Sequence, residues 1–329
     1  MKTWSAVVRA WGSGTACAMV VGMVGLVGCE SDESSTPAAP ADCFEATDKT
    51  LAGETKAFGD FEFKNAFDPT DGKVYDPSDA ASLPGPLMVD AWGDRGTGAH
   101  GTLGVFPPGF AAPLHTHSAE YHGVVLQGQM TNPFGTDLDV FLDGDSSNDK
   151  GAVVLGPGSY WRVPAGSQHT TTCVGPEVCW FYFHSEEAFD FAPIVDASGQ
   201  LNAGTTLESP PADAVLLPNA ELAFQESAPF VSFAPAWGDM QQSAHGTFGK
   251  FIPGGTSPLH VHGASYYGVV ISGALTNPFN SEPNPTQLTT GGYWSVPEKA
   301  VHVTACANGS ECLFYFHQRA GFDFQSVCE

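Results

Sequence analysis

Apolar and polar positions alternate along this chain in short bursts. Runs such as YHGVVL, YWRVP and CWFYFH last five or six residues and are punctuated by Gly, Pro or an Asn-Pro pair. Such short runs, alternating with period two or wholly apolar and bounded by turn residues, predict strands. No stretch sustains the 3.6-residue period of an amphipathic helix. The chain therefore reads as all-β, with the many short strands of a sandwich or barrel.

The pattern occurs twice. Residues 91–135, from AWGDRGTGAHGTLGVF to TNPFG, match residues 236–280 at an offset of 145, and GSYWRVPAGSQHTTTCVGPEVCWFYFH at 158–184 matches 291–317 at an offset of 133. The difference of 12 residues falls in one loop, an insertion around FLDGDSSNDKG at 141–151. A chain of 329 residues with 42% hydrophobic content suffices for two domains that each bury a core. Their expected extents are 43–200 and 201–329. The Pro- and Ala-rich stretch 192–235 is expected to connect them and to add strands to the second copy.

Twelve basic residues against 36 acidic ones, a net charge of −24, argue against a nucleic-acid partner, which would need clustered Lys and Arg. Residues 1–28 read as a signal peptide: Lys2 and Arg9 precede an apolar run from Ala16 to Val27 that is too short to span a bilayer. The run ends in LVGC, Leu26 to Cys29, which resembles the bacterial lipobox. That resemblance implies cleavage before Cys29, acylation of its thiol, and anchoring to a lipid membrane through N-terminal acyl chains. Glu30 in the next position points to the cell envelope, as an outer-membrane lipoprotein. Residues 29–42 are polar and Pro/Ala-rich, as a flexible tether would be. The competing reading is an uncleaved N-terminal anchor.

Export bears on the cysteines. With Cys17 in the signal and Cys29 acylated, six remain for an oxidising compartment: Cys43, Cys173, Cys179, Cys306, Cys312 and Cys328. Cys173/Cys179 and Cys306/Cys312 flank five-residue turns between strand-like runs, within disulfide reach across an antiparallel pair. Cys43 and Cys328 are left to tie the termini. The functional alternative for the close pairs is a soft thiolate ligand.

Ten of the 11 histidines pair between the repeats: His100 with His245, His115 with His260, His117 with His262, His169 with His302 and His184 with His317. His122 faces Tyr267 instead. His115 and His117, two apart on a strand, point to one side, and the PAGSQH turn would double back to bring His169 to them. Imidazole is a common ligand of first-row transition metals.

These elements resemble the two cupin motifs, through Gly109, His115 and His117 in the first and Gly158, Pro164, Gly166 and His169 in the second. Two copies resemble a bicupin; PLHTHS, YHGVVLQG and GSYWRVPAG are more closely similar to a domain of unknown function related to the ChrR-like cupins. The resemblance implies two tandem jelly-roll β-barrels, each holding a divalent transition metal (Fe, Mn, Zn, Cu or Ni) on its motif histidines. Where the first motif expects Glu, the permitted spacings fall on Tyr121 or His122, with Glu120 one residue early. Strand alternation places Glu120 and His122 on one face. The expected site is therefore His115, His117, His122 and His169, with Glu120 as substitute ligand or acid/base group and Tyr121 and Tyr267 as further acid/base candidates. The second copy keeps His260, His262 and His302, but offers Ser265, Tyr266 and Tyr267 in place of a fourth ligand and Lys299 in place of the turn glycine.

If Cys173 faces inward, Cys179, Phe181 and Phe183 do too, and Trp180, Tyr182 and His184 face out; His184 and His317 are then expected between the two copies or between sheets. Trp92/Trp237, Tyr160/Tyr293 and Trp161/Trp294 read as core. Asp143 to Asp149 alternate oxygen ligands without an EF-hand pattern, as a solvated loop would. An all-histidine ligand set resembles cupin dioxygenases more than the oxalate enzymes with their Glu ligand. The readings weighed are a metal-dependent, dioxygenase-like oxidoreductase acting on a small organic substrate, a non-catalytic metal- or small-ligand-binding envelope protein, and a duplicated scaffold with vestigial sites.

Overall fold

The computed structural model describes residues 43–46, 48, 50–132, 134, 153–279 and 285–328. The residues expected to form the signal peptide and tether, Cys29 among them, and the acidic insertion at 141–151 lie outside the described residues. Among those described, no helix is long and apolar enough to cross a membrane.

Two seven-stranded antiparallel sheets dominate. One runs in the order Val215–Leu217, Tyr160–Val163, Tyr121–Gln127, Cys179–Ser185, His100–Phe106, Leu87–Gly93, Lys64–Asn65. The other repeats that order with Glu54–Lys56, Tyr293–Val296, Tyr266–Ser272, Cys312–Gln318, His245–Phe251, Val231–Gly238 and Gln225–Ala228. Short strand pairs close each barrel on its far side, among them Thr172–Val174 with Gln129–Thr131 and Leu275–Thr276 with Ala305–Cys306.

Alternation along one strand builds two cores at once. In Cys179–Ser185, Cys179, Phe181 and Phe183 enter the first barrel, while Trp180 and Tyr182 join a cluster shared with Phe248, Val269 and Tyr315 of the second. The repeat strand Cys312–Gln318 does the same, with Phe314 and Phe316 inward and Leu313 and Tyr315 outward. A strand buried on both faces needs an unbroken apolar run, which is why CWFYFH and CLFYFH show little polar alternation. The two large sheets thus pack back to back, and at their centre His184 and His317 stack in parallel, 3.7 Å between centroids.

The barrels do not follow the boundary expected at residue 200. Glu54–Lys56, assigned to the first copy, pairs with Tyr293–Val296 of the second, and Val215–Leu217, assigned to the second, pairs with Tyr160–Val163 of the first. Each barrel therefore finishes its large sheet with a strand from the segment preceding the other copy. The connecting stretch accordingly serves both: Ala192–Pro193 and Val215–Leu217 join the first barrel, Gln225–Ala228 the second. Disulfides join Cys173 to Cys179, Cys306 to Cys312, and Cys43 to Cys328 across a sequence separation of 285. All three pairs are structural, which excludes the thiolate-ligand alternative.

Candidate metal centre

The first site is assembled by backbone pairing before any side chain matters. His115 and His169 exchange both main-chain hydrogen bonds, at 3.0 and 3.1 Å, so their side chains lie side by side. The turn ahead of His169 is locked by Gly166, whose φ is 74° and whose N–H donates to the His117 carbonyl at 2.8 Å. In the second barrel Lys299 holds the same left-handed conformation, φ 62°, and makes the same bond to His262. The turn is so constrained by its pairing that a non-glycine residue accepts roughly 1–3 kcal/mol of strain to preserve it.

His115, His117 and His169 form one buried group and His260, His262 and His302 another, each with its nitrogens within 4.8 Å of one another. What fixes their chemistry is the far nitrogen of each ring. His115 Nδ1 donates to the Pro113 carbonyl at 2.7 Å, His169 Nδ1 to Ser167 at 3.0 Å, and His117 Nδ1 to Asp190. The second barrel repeats this with Pro258, Ala300 and Asp323. A proton held on Nδ1 leaves a lone pair on Nε2, and the three Nε2 atoms converge; those of His115 and His117 are 3.0 Å apart. Two lone pairs cannot hydrogen-bond, whereas ligands about 2 Å from a common centre stand at roughly this spacing. The residues fit a divalent transition metal.

Burial keeps these rings neutral. It pushes His117 down to about 4 and His169 to about 3, and lowers His115 well below the ordinary value, with the neighbouring imidazoles adding to the shift of His115 and His169. His260 falls to about 3 for the same reasons, and His262 and His302 are lowered too.

The fourth side chain is a tyrosine. The Tyr121 hydroxyl lies 3.1 Å from His169 Nε2, and the Tyr266 hydroxyl 3.1 Å from His302 Nε2. Burial raises the Tyr121 phenol to about 12, against the opposing influence of Trp161, Thr171 and Asn132 around it. It therefore keeps its proton at neutral pH.

His122 and Glu120 do not join the site. They do share a face, but it is the outer one, opposite the face to which alternation from His117 assigns Tyr121. Tyr121 pairs with Val163 and points inward, whereas His122 pairs with Arg162 and His184 on the side of the domain interface. There Tyr160 donates to His122 Nδ1 at 2.7 Å, Glu120 lies 3.3 Å from its Nε2, and its ring stacks on Trp237 at 4.4 Å. Glu120 is also paired with Arg162 at 2.5 Å; the hydrogen bond from His122, followed by that from Arg162, holds its carboxyl at about 2. Tyr267 is the counterpart of His122, stacked on Trp92 at 4.2 Å, so it too leaves the acid/base candidates.

His184 and His317 sit in the same interface. Tyr315 and Tyr182 donate to their Nε2 atoms at 3.1 and 3.0 Å, and Trp237 and Trp92 donate in turn to those phenols at 2.8 Å. His100 packs behind the site, its ring 5.4 Å from Phe183 and 5.9 Å from Phe189.

A second feature escaped the repeat comparison, although the offset of 133 continues into it. Phe189-Asp190-Phe191 recurs as Phe322-Asp323-Phe324. Phe189 stacks on His117 at 4.2 Å and Phe191 on His115 at 4.3 Å, while the Asp190 carbonyl takes the His117 proton and its carboxylate accepts the Ser118 N–H at 2.7 Å. Phe322, Phe324 and Asp323 do the same at His262, His260 and Gly263. The clasp walls a cavity of about 50 Å³ that is bounded by His115, His117, Tyr121 and Trp161.

Two tandem jelly-roll barrels with histidine groups inside them define a bicupin. Such a fold is shared with oxalate decarboxylase from Lactobacillus farciminis in complex with formate, at 14% identity over 84% of this chain and 89% of that one, TM-score 0.53. A variant of Bacillus subtilis oxalate decarboxylase gives 15% identity, 84% and 80% coverage, and TM-score 0.50. A putative dioxygenase from Nostoc punctiforme gives 14%, 79% and 88%, with TM-score 0.48. No curated protein matches the chain. The family described as Domain of unknown function (DUF4437) matches residues 84–206 and 234–329, one stretch per barrel and well over half of the chain, and the chain belongs to it.

Proposed function

We propose that this protein is an exported bicupin lipoprotein that holds a divalent transition metal on His115, His117 and His169, and a second on His260, His262 and His302. The observation that carries the reading is the set of ring partners: six Nδ1 nitrogens face backbone carbonyls, which leaves the Nε2 lone pairs to bind a ligand, and those of His115 and His117 stand 3.0 Å apart within a group whose nitrogens lie within 4.8 Å of one another. A metal bound there would supply Lewis-acid chemistry, polarising an oxygen or activating dioxygen. The chain contributes the surroundings. Phe189 and Phe191 exclude water from one side, and the protonated Tyr121 hydroxyl stands beside His169 as a proton donor. This supports a dioxygenase-like oxidoreductase acting on a small organic substrate. The second reading is a metal- or small-ligand-binding envelope protein without turnover, and the small cavity favours it.

Three intact disulfides suit an oxidising compartment and support export. The anchor would be the acylated Cys29, placing the barrels on the envelope.

Metal content by elemental mass spectrometry tests the central claim, on protein prepared without chelator. The parent should hold two equivalents, His117→Ala and His262→Ala one each. A parent that retains none after exposure to Fe, Mn, Cu, Ni and Zn refutes it. Loss of membrane association in Cys29→Ser, and its retention in the parent, tests the anchor.

A further inference from the structure

The two Phe-Asp-Phe clasps are fastened differently. Ile194 and Val327 are equivalent, and each donates its N–H to the residue before the first histidine, Ile194 to Leu114 at 3.0 Å and Val327 to Leu259 at 3.1 Å. The first barrel backs Ile194 with the chain that follows: Asn202 donates to the Ile194 carbonyl at 2.9 Å, and Leu201 and Leu207 pack on Leu114 and Val195. The second barrel uses a segment far away in sequence. Phe44 runs parallel to Val327, donates to the Ser326 carbonyl at 2.7 Å and accepts the Cys328 N–H at 3.0 Å. With Ala46 and Leu259 it packs on Val261, Val301 and Val327, and Val261 and Val301 adjoin the three histidines of the second centre.

The Cys43–Cys328 disulfide, with a sequence separation of 285, fastens that segment to the clasp, because Cys328 follows Phe324 by four residues. It is also the most accessible of the three. Cys173, Cys179 and Cys312 are 0% exposed and Cys306 4%, whereas Cys43 and Cys328 are partly exposed. Thiol–disulfide exchange needs a thiolate to reach a sulfur, so access decides which bond is cut first.

We propose that Cys43–Cys328 is a redox latch on the second metal centre. One thiolate of a dithiol reductant attacks a chain sulfur, breaking the S–S bond and forming a mixed disulfide. The second thiolate then displaces that chain sulfur and closes the reductant's own disulfide. Two electrons pass to the chain, and its two cysteines take up the two protons that the dithiol gives up. Residues 43–46 are then held to the clasp by two main-chain hydrogen bonds and the packing of Phe44. The clasp can swing out about Phe322, whose N–H stays on the Met240 carbonyl at 2.6 Å. That motion takes the Asp323 carbonyl from His262 Nδ1, its carboxylate from the Gly263 N–H, and the Phe324 ring from His260. The first clasp has no cysteine between Phe189 and Leu207 and stays closed. The effect on metal rests on the metal reading, whereas the opening of the clasp does not.

The test treats the native parent with dithiothreitol, alkylates it with iodoacetamide, removes both reagents, and compares it with untreated parent and with Cys43→Ser/Cys328→Ser by peptide-resolved hydrogen exchange. Alkylation should fall on Cys43 and Cys328, and exchange of the Val327 and Cys328 amides should rise about tenfold, with Ile194 and Asn202 unchanged. Should the serine variant not fold, the alkylated parent carries the comparison. Zinc competition against a chelator, in the His117→Ala background that leaves the second centre to be read, should show affinity falling roughly 10- to 100-fold on reduction. The His262→Ala background should show no change. Alkylation of the buried cysteines ahead of the accessible pair, unchanged exchange at 327–328, or an equal rise in both barrels overturns the latch. So does faster exchange with unchanged zinc affinity, since the clasp would then open without governing the centre. A chain that takes up no metal refutes the metal reading instead, and the exchange result then decides the latch by itself.

Discussion

Acidifying the metal-free protein should unfold it steeply between pH 6.5 and 5. Ten of its histidines, all but His122, are buried with pKa values below the ordinary one, and desolvation is the leading cause for each. An unfolded histidine titrates near 6.5. With the folded value lower, the unfolded chain binds more protons at intermediate pH, so the stabilisation is complete above about pH 6.5 and is lost as pH falls toward 4. For a folded value of about 4 or below, as in His100, His117, His169, His245 and His260, going from pH 7 to 5 costs about 2 kcal/mol each. Those five together lose on the order of 10 kcal/mol, comparable with the whole stability of an ordinary domain, about 5–15 kcal/mol. The remaining five act in the same direction. Guanidinium midpoints of chelator-treated protein, at constant ionic strength across this range, measure the loss. Equal midpoints at pH 7 and pH 5 would refute the reasoning, since they would mean that the rings are already charged or solvated in the folded state. Metal should move the collapse to lower pH, because six of the ten rings are then held by a ligand that competes with protons.

Two further outcomes separate the roles of neighbouring residues. His122→Tyr copies the second barrel, where Tyr267 stacks on Trp92 as His122 does on Trp237; metal content should be unchanged and stability should fall by about 1 kcal/mol for the lost polar partners, and a drop to one equivalent of metal would return His122 to the site. Asp190→Ala removes the carboxylate that accepts the Ser118 N–H and steadies the carbonyl on His117. Metal affinity of the first barrel should then fall roughly 10- to 100-fold, as for other supporting groups, with the second barrel unaffected; competition with a chromogenic chelator reads both.

Parity, not motif spacing, decides the fourth member of the site. The spacing of the resembled motif falls on Tyr121 or His122, whereas alternation counted from His117 through Ala119 reaches Tyr121 and leaves Glu120 and His122 together on the opposite face. Counting from Phe183, which enters the barrel, across the ladder to Gly123 also puts Tyr121 inside. The repeat held the same information: Tyr121 is matched by Tyr266, while His122 and Glu120 are matched by Tyr267 and Ser265. The Phe-Asp-Phe clasp was legible by the same means. The backbone carbonyls of Pro113, Ser167 and Asp190 were not, because any residue supplies a carbonyl and only the fold decides where it points.

The sequence by itself determined the all-β class, the duplication, the histidine triplets and the close cysteine pairs, since each depends on periodicity or short spacing that local geometry enforces. Tertiary structure alone decided the rest. Strands 54–56 and 215–217 complete the opposite barrels because edge pairing is chosen by which sheet edge lies near, not by order along the chain. Alternation already put His184 and His317 between the copies, but that His122 joins them rather than the ligands was decided by the back faces of two sheets that needed covering, where stacked rings linked to phenols fill the space.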